Sequence, residues 1–167
     1  HTITGLYINR PSVNQQGLFK HMDLDAEIKN LGLISVNITG GDYTGGLVGN
    51  NDSGTITNCY STGNVSGTGL STGGLVGVNY GNINNCYNTG AVTGTASNTF
   101  IGGLVGVNND NITNCHSTGN VSGIDGTKGG LVGINNGVVV NSYYNYETVL
   151  INNSHIVTIG ALTNELF

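Results

Sequence analysis

The sequence predicts an all-β chain wound as a right-handed parallel β-solenoid with about 28 residues per coil and roughly five to six coils. Three observations carry that expectation. The block GGLVG recurs at Gly45, Gly73, Gly102 and Gly129, at steps of 28, 29 and 27 residues. Between its copies a second block recurs, NCYSTGNVSG from Asn58, NCYNTGAVTG from Asn85 and NCHSTGNVSG from Asn114. Apolar residues come in short clusters of strand length divided by Gly, Asn, Ser and Thr, with no sustained stripe at the 3.6-residue helical period. A unit of this length is too short for a four-stranded propeller blade and fits one coil of about three short strands.

Composition sets the outer bounds. The chain has 167 residues, one domain's worth, and only 8% of them are charged where about 25% is ordinary. Its 37% apolar content is still enough to build a core. A single Pro excludes collagen and polyproline architectures, and no apolar run reaches the roughly 20 residues of a membrane helix. The net charge is −5, and the only bases are Arg10, Lys20, Lys29 and Lys128, so nucleic acid is not an expected partner. The first residues lack the charged start and apolar core of a signal peptide, and the chain reads as a mature product or an excised piece.

In a stack of coils about 4.8 Å apart, equivalent residues lie above one another, so each recurring position becomes a column. The opening Ile3-x-Gly5-Leu6-x-Ile8 aligns with Ile28-x-Asn30-Leu31-x-Leu33, which places Ile3 with Ile28, Ile56, Ile83, Ile112 and Val139 in an inward column. Six levels give a squat rod of about 24 Å. Leu18, Leu47, Leu75, Leu104 and Leu131 form a second inward column, with Gly17-Leu18-Phe19 as a degenerate copy of GGLVG. Val36, Val65, Val92 and Val121 form a third. The paired glycines are expected where the backbone is left-handed or where coils approach closely. Asn30, Asn58, Asn85, Asn114 and Asn141 follow the Ile column by two positions and mark a turn with stacked amides.

Cys59, Cys86 and Cys115 occur once per coil, in a column that starts at Leu31 and ends at Ser142. Neither paired zinc spacing nor an even disulfide count is present, and the expectation is three buried free thiols acting as small hydrophobes. A Cys59 to Cys86 bridge remains compatible with the coil spacing. One residue later, with opposite parity, Tyr60, Tyr87, His116 and Tyr143 form an outward ladder. Ring-on-ring stacking accounts for it, and a contact platform for carbohydrate is the functional alternative.

Signs of catalysis are sparse. Asp23, Asp25 and Glu27 alternate on one connecting segment, and Asp42, Asp52, Asp110 and Asp125 fall near turns, where solvation explains them. No Gly-x-Ser-x-Gly elbow, calcium loop or His/Cys/Asp set with metal spacing occurs. Sequons begin at Asn37, Asn51, Asn64, Asn111, Asn120 and Asn152, candidates for glycosylation. Residues 1–146 read as repeats, and 147–167, which lack GGLVG, as a divergent cap or the start of a next segment.

The pairing of GGLVG with NCYSTGNVSG resembles the GLUG-motif repeat, over roughly Gly17 to Tyr144. The resemblance implies an extracellular setting, since such repeats occur in bacterial and archaeal cell-surface proteins, haemagglutinin-like adhesins and the stalks of secreted peptidases. It brings no catalytic residues, metal or cofactor, and no His-Glu-x-x-His is present. The functional expectation is a non-enzymatic surface segment, a rigid adhesin-like stalk and contact surface. The expected partners are other copies of the chain, neighbouring solenoid segments or cell-surface glycans, without membrane insertion. The alternatives are a subunit of a filament, sheath or surface layer and, far behind, a carbohydrate-active enzyme on a solenoid.

Overall fold

The computed structural model describes residues 1–97 and 99–163. Among them every regular element is a strand, and the ladders between those strands are parallel, stacked into a β-solenoid of about five coils. Four sheets run along the stack. The first contains Val48–Asn51, Val76–Asn79, Val105–Asn108 and Val132–Asn135, topped by Phe19–Met22. The second stacks Glu27–Lys29, Thr55–Thr57, Asn82–Asn84, Asn111–Thr113 and Val138–Val140. A third stacks Thr44–Gly45, Ser71–Gly73, Phe100–Gly102 and Thr127–Gly129. The fourth and widest carries the aromatic residues, from Thr2–Thr4 through Tyr143–Asn145 to Ala161–Leu162.

Sequence spacing becomes register directly. Ile28, Ile56, Ile83, Ile112 and Val139 pair level by level. Leu47, Leu75, Leu104 and Leu131 are fully buried opposite them, and Leu18 packs on the core from the level above. Burial of one such side chain contributes about 1.5–3 kcal/mol, so these two columns hold the coil cross-section closed.

Two column assignments are corrected. Ile3 pairs with Leu33 rather than joining the Ile column, because the first strand, Thr2–Thr4, stacks on Gly32–Ile34. The Ile column therefore has five levels, spanning about 19 Å at a 4.8 Å spacing. Val36 sits over Gly63, and Ile38 takes the expected place over Val65, at the head of the column continued by Val92 and Val121. The cause is a bulge between Leu33 and Val36 that inserts one residue, with Ser35 left-handed at φ 54°. Val36 remains buried, so the bulge costs the core nothing at that side chain.

Close approach, not left-handed backbone, explains the repeated glycines. A Cβ on the first glycine of the block would lie 1.9–2.2 Å from the carbonyl oxygen three residues on, Val48, Val76, Val105 or Val132. On the second glycine it would meet the inward column Ser61, Asn88, Ser117 and Tyr144, at 2.1 Å from Asn88 Nδ2 for Gly74. Over residues 148–163 the tail packs on the last full coil: Val149 and Ile151 are buried, and Ala161–Leu162 pairs with Tyr144 and Asn145. Tyr144, fully buried, fastens it by accepting from the Thr158 amide at 2.8 Å and donating to the Ile156 carbonyl at 2.5 Å.

Candidate functional site

The Asn–Cys corner is a structural device. Asn30, Asn58, Asn85, Asn114 and Asn141 all have φ between 47° and 55°, the left-handed region that Asn tolerates better than other side-chain-bearing residues. Beyond this turn the amide of Cys59 donates to Sγ of Cys86 at 3.4 Å, and that of Cys86 to Sγ of Cys115 at 3.3 Å. Each thiol in turn donates to the carbonyl two residues before it, as in Cys86 to Asn84 at 3.1 Å. Ser142 closes the column in the same way, its hydroxyl accepting from the Cys115 amide at 3.0 Å and donating to the Val140 carbonyl at 2.8 Å. All three thiols are free and buried. The sulfur contacts with Cys115 and Cys59, and then burial, hold Cys86 well above the ordinary thiol range, so it is not a thiolate nucleophile at neutral pH.

A further asparagine ladder runs inside the coil, unrecognised in the sequence although Asn always falls two residues after GGLVG. Asn51, Asn79, Asn108 and Asn135 donate from one Nδ2 to the next Oδ1 at 2.8 Å. Each also donates to a backbone carbonyl at the following turn, Gly54, Gly81, Asp110 or Gly137. This corrects the sequon set, because Asn51 is fully buried with its amide committed. Asn37, Asn64, Asn120 and Asn152 are exposed, and Asn111 is half-buried with its amide on Asn82. Asn120 accepts the Leu150 amide, and Asn152 makes two bonds to the backbone of Gly123.

The aromatic residues stack face to face. Tyr60 and Tyr87 are 4.8 Å apart and 3° from parallel, Tyr87 and His116 5.0 Å and 6°, His116 and Tyr143 6.1 Å and 16°. The outer face of Tyr60 lies over Gly32, where a Cβ would come within 2.2 Å of the ring. Saccharide rings bind aromatic faces, and here those faces meet one another, which leaves edges outward. The ladder is therefore a stabilising seam, with His116 shifted below its ordinary pKa by burial.

A concavity lies elsewhere, on the side of the solenoid between the first and third sheets. Its volume is about 360 Å³. The floor is one outward column, Asn50, Val78 and Val107, at three consecutive levels. Tyr43, Ser71 and Phe100 stand on one side with Leu70, and Asp52 and Tyr80 on the other. Above its upper end His21 pairs with Asn50 across the ladder, its Nδ1 accepting from the Asn50 Nδ2 at 3.2 Å, and its Nε2 meets Asp23 at 3.0 Å. His21, Asp23 and Asp52 thus converge, their ligand atoms within 4.8 Å, a grouping invisible in the linear spacing. All three are exposed and form a charged rim.

Comparison with known proteins gives three findings. The family described as the GLUG motif matches residues 40–66, 68–93 and 97–122, just under half of the chain. Halomucin of Haloquadratum walsbyi is 38% identical over 77 residues, 46% of this chain but 1% of halomucin. A crystal structure from Bacteroides ovatus, provisionally described as an immunoglobulin A1 protease, superposes with a TM-score of 0.64 over 99% of this chain and 68% of its own. At 21% identity that likeness concerns the fold.

Proposed function

Given that the chain is a GLUG-motif repeat protein, we propose that it is a non-enzymatic segment of an extracellular surface protein, a rigid stalk with a contact surface along its side. The observation that carries this reading is the use to which the repeated positions are put. Gly, Leu, Ile, Asn, Cys and the stacked rings are all engaged in closing coils or joining one coil to the next. Side chains left for outside contact lie on the flanks, at weakly charged positions, in keeping with adhesion through extended faces. Carboxylates such as Asp42, which accepts the Leu70 amide, serve turns rather than an acid–base pair.

The test is surface labelling of intact source cells with antibody to this chain, beside a screen of the purified protein for hydrolysis of polysaccharides and peptides. Labelling without turnover is the expected result. Loss of labelling on intact cells, or specific cleavage, would overturn the reading.

One observation favours assembly as a second reading. Among the described residues the first and last coils present strands paired on one side only, with exposed apolar residues, Tyr7 and Phe19 at one end and Val138 and Val140 at the other. Such edges are completed by a further coil, from the same polypeptide or a second copy. Electron microscopy of native material separates the cases: filaments of stacked copies support assembly, and isolated short rods oppose it.

A further inference from the structure

The geometry points to a saccharide-binding site in the lateral concavity, recognising two or three rings of a neutral oligosaccharide; this rests on the surface-segment reading above and names its ligand class. The first argument comes from where the repeat breaks. Core positions read Leu, Leu, Leu, Leu and Asn, Asn, Asn, Asn at successive levels, from Leu47 and Asn51 onward. The columns around the concavity read Tyr43, Ser71, Phe100; Asn50, Val78, Val107; and Asp52, Tyr80. The GGLVG block between the first two of these columns and the Asn51–Asn79–Asn108 column between the last two repeat unchanged, so the variation is confined to side chains that face the concavity and is not required by stacking.

The second argument is chemical. Tyr80 is 48% exposed and, unlike the stacked ladder, belongs to no ring pair among the described residues, so a face is available to the apolar face of a sugar. Asn50, on the floor, carries an Oδ1 that is buried and has no hydrogen-bond partner among the described residues, an unsatisfied acceptor that a small side-chain rotation would turn to a ligand hydroxyl. Asp52 adds an exposed carboxylate on the same side as Tyr80. Together these supply what polyhydroxylated rings require: an aromatic surface, an apolar floor and convergent acceptors.

Charge then selects among saccharides. None of the lining residues is Lys or Arg, and the rim carries Asp52 and Asp23 beside His21. An anionic glycan would meet repulsion with no compensating base, so the ligand is uncharged. The floor spans three levels, about 10 Å at a 4.8 Å spacing, which limits the contact to a short stretch of glycan rather than a long chain.

The test is titration of the whole chain, followed by amide chemical shifts, with maltotriose, cellotriose and tri-N-acetylchitotriose, and with a heparin disaccharide as the charged comparison. Binding of at least one neutral sugar is expected, weakened about tenfold by Tyr80→Ala and measurably by Asp52→Asn, and unchanged by Tyr87→Phe in the stacked ladder. Asp52→Asn preserves shape at an exposed site, so it decides the matter if Tyr80→Ala fails to fold. No binding of any neutral sugar, binding indifferent to both substitutions, or preference for the heparin disaccharide would each overturn the proposal. Surface labelling of cells is read separately: labelled cells with an empty concavity leave the surface role standing and remove only the ligand.

Discussion

The backbone amide of Cys59 donates to Sγ of Cys86, 3.4 Å away on the following coil. The left-handed Asn58 turns the chain at this corner, and the sulfur of the next coil serves as the amide's acceptor. Replacing Cys86 by Ala removes that acceptor and leaves a buried donor unpaired, at a cost of about 1–3 kcal/mol. Cys86→Ser is expected to retain most of the stability, since Ser142 already performs the same task for Cys115. Urea unfolding midpoints of the two variants, at unchanged slope, check the contrast. Unfolded without reductant, the parent chain should titrate three thiols.

Ile83 sits at the middle of its column and is fully buried. Ile83→Asp places an unpaired carboxylate there and should cost about 4 kcal/mol or more, a large fraction of the about 5–15 kcal/mol stability of an ordinary domain. Ile124→Asp, at a side chain 67% exposed, should stay within about 0.5 kcal/mol of the parent. Equal stability of the two variants in thermal or chemical unfolding would contradict the inward assignment.

Gly74 offers a test of the close approach between coils. A methyl group there would meet Asn88 Nδ2 at 2.1 Å and the Gly103 carbonyl oxygen at 2.3 Å, the second of which is backbone and cannot swing aside. Gly74→Ala should therefore destabilise at the upper end of the 1–3 kcal/mol typical of overpacking. At Gly5 the space is open and only the φ of 71° opposes a side chain, so Gly5→Ala should cost about 1 kcal/mol. Melting temperatures of the pair give the comparison.

Between Tyr87 and Tyr143 the ring of His116 is desolvated, which lowers its pKa in the folded state. The unfolded chain then binds a proton more readily than the folded one. The stability tied to neutral His116 is fully present above the unfolded value of about 6.5 and is lost as pH falls through the lower folded value. His116→Tyr should keep the stack and flatten this part of the profile. The measurement is unfolding free energy against pH for both proteins, and identical slopes below neutrality would show that the ring is not desolvated.

What was legible in the sequence is what the chain repeats. In a parallel stack a residue recurring every 27 to 29 positions must lie over its own kind, so the Ile, Leu and Cys columns and the Tyr60–Tyr143 ladder followed from spacing alone. Even so, the inner Asn51–Asn135 ladder escaped notice, although its regular position after GGLVG carried the signal; a polar residue in a strand reads as outward until the turn carbonyls that satisfy it are seen.

The tertiary structure decided whatever does not repeat. Ile3 lies on Leu33 because the first strand stacks on Gly32–Ile34, and Ile38 displaces Val36 because a single looped-out residue at a bulge shifts register without leaving a mark in composition. The lateral concavity and the approach of His21, Asp23 and Asp52 depend on how sharply one coil bends between two of its sheets. Periodicity fixes which residues stack along the axis, but distances across the coil are set by the bend angles, and those emerge only when the core packs.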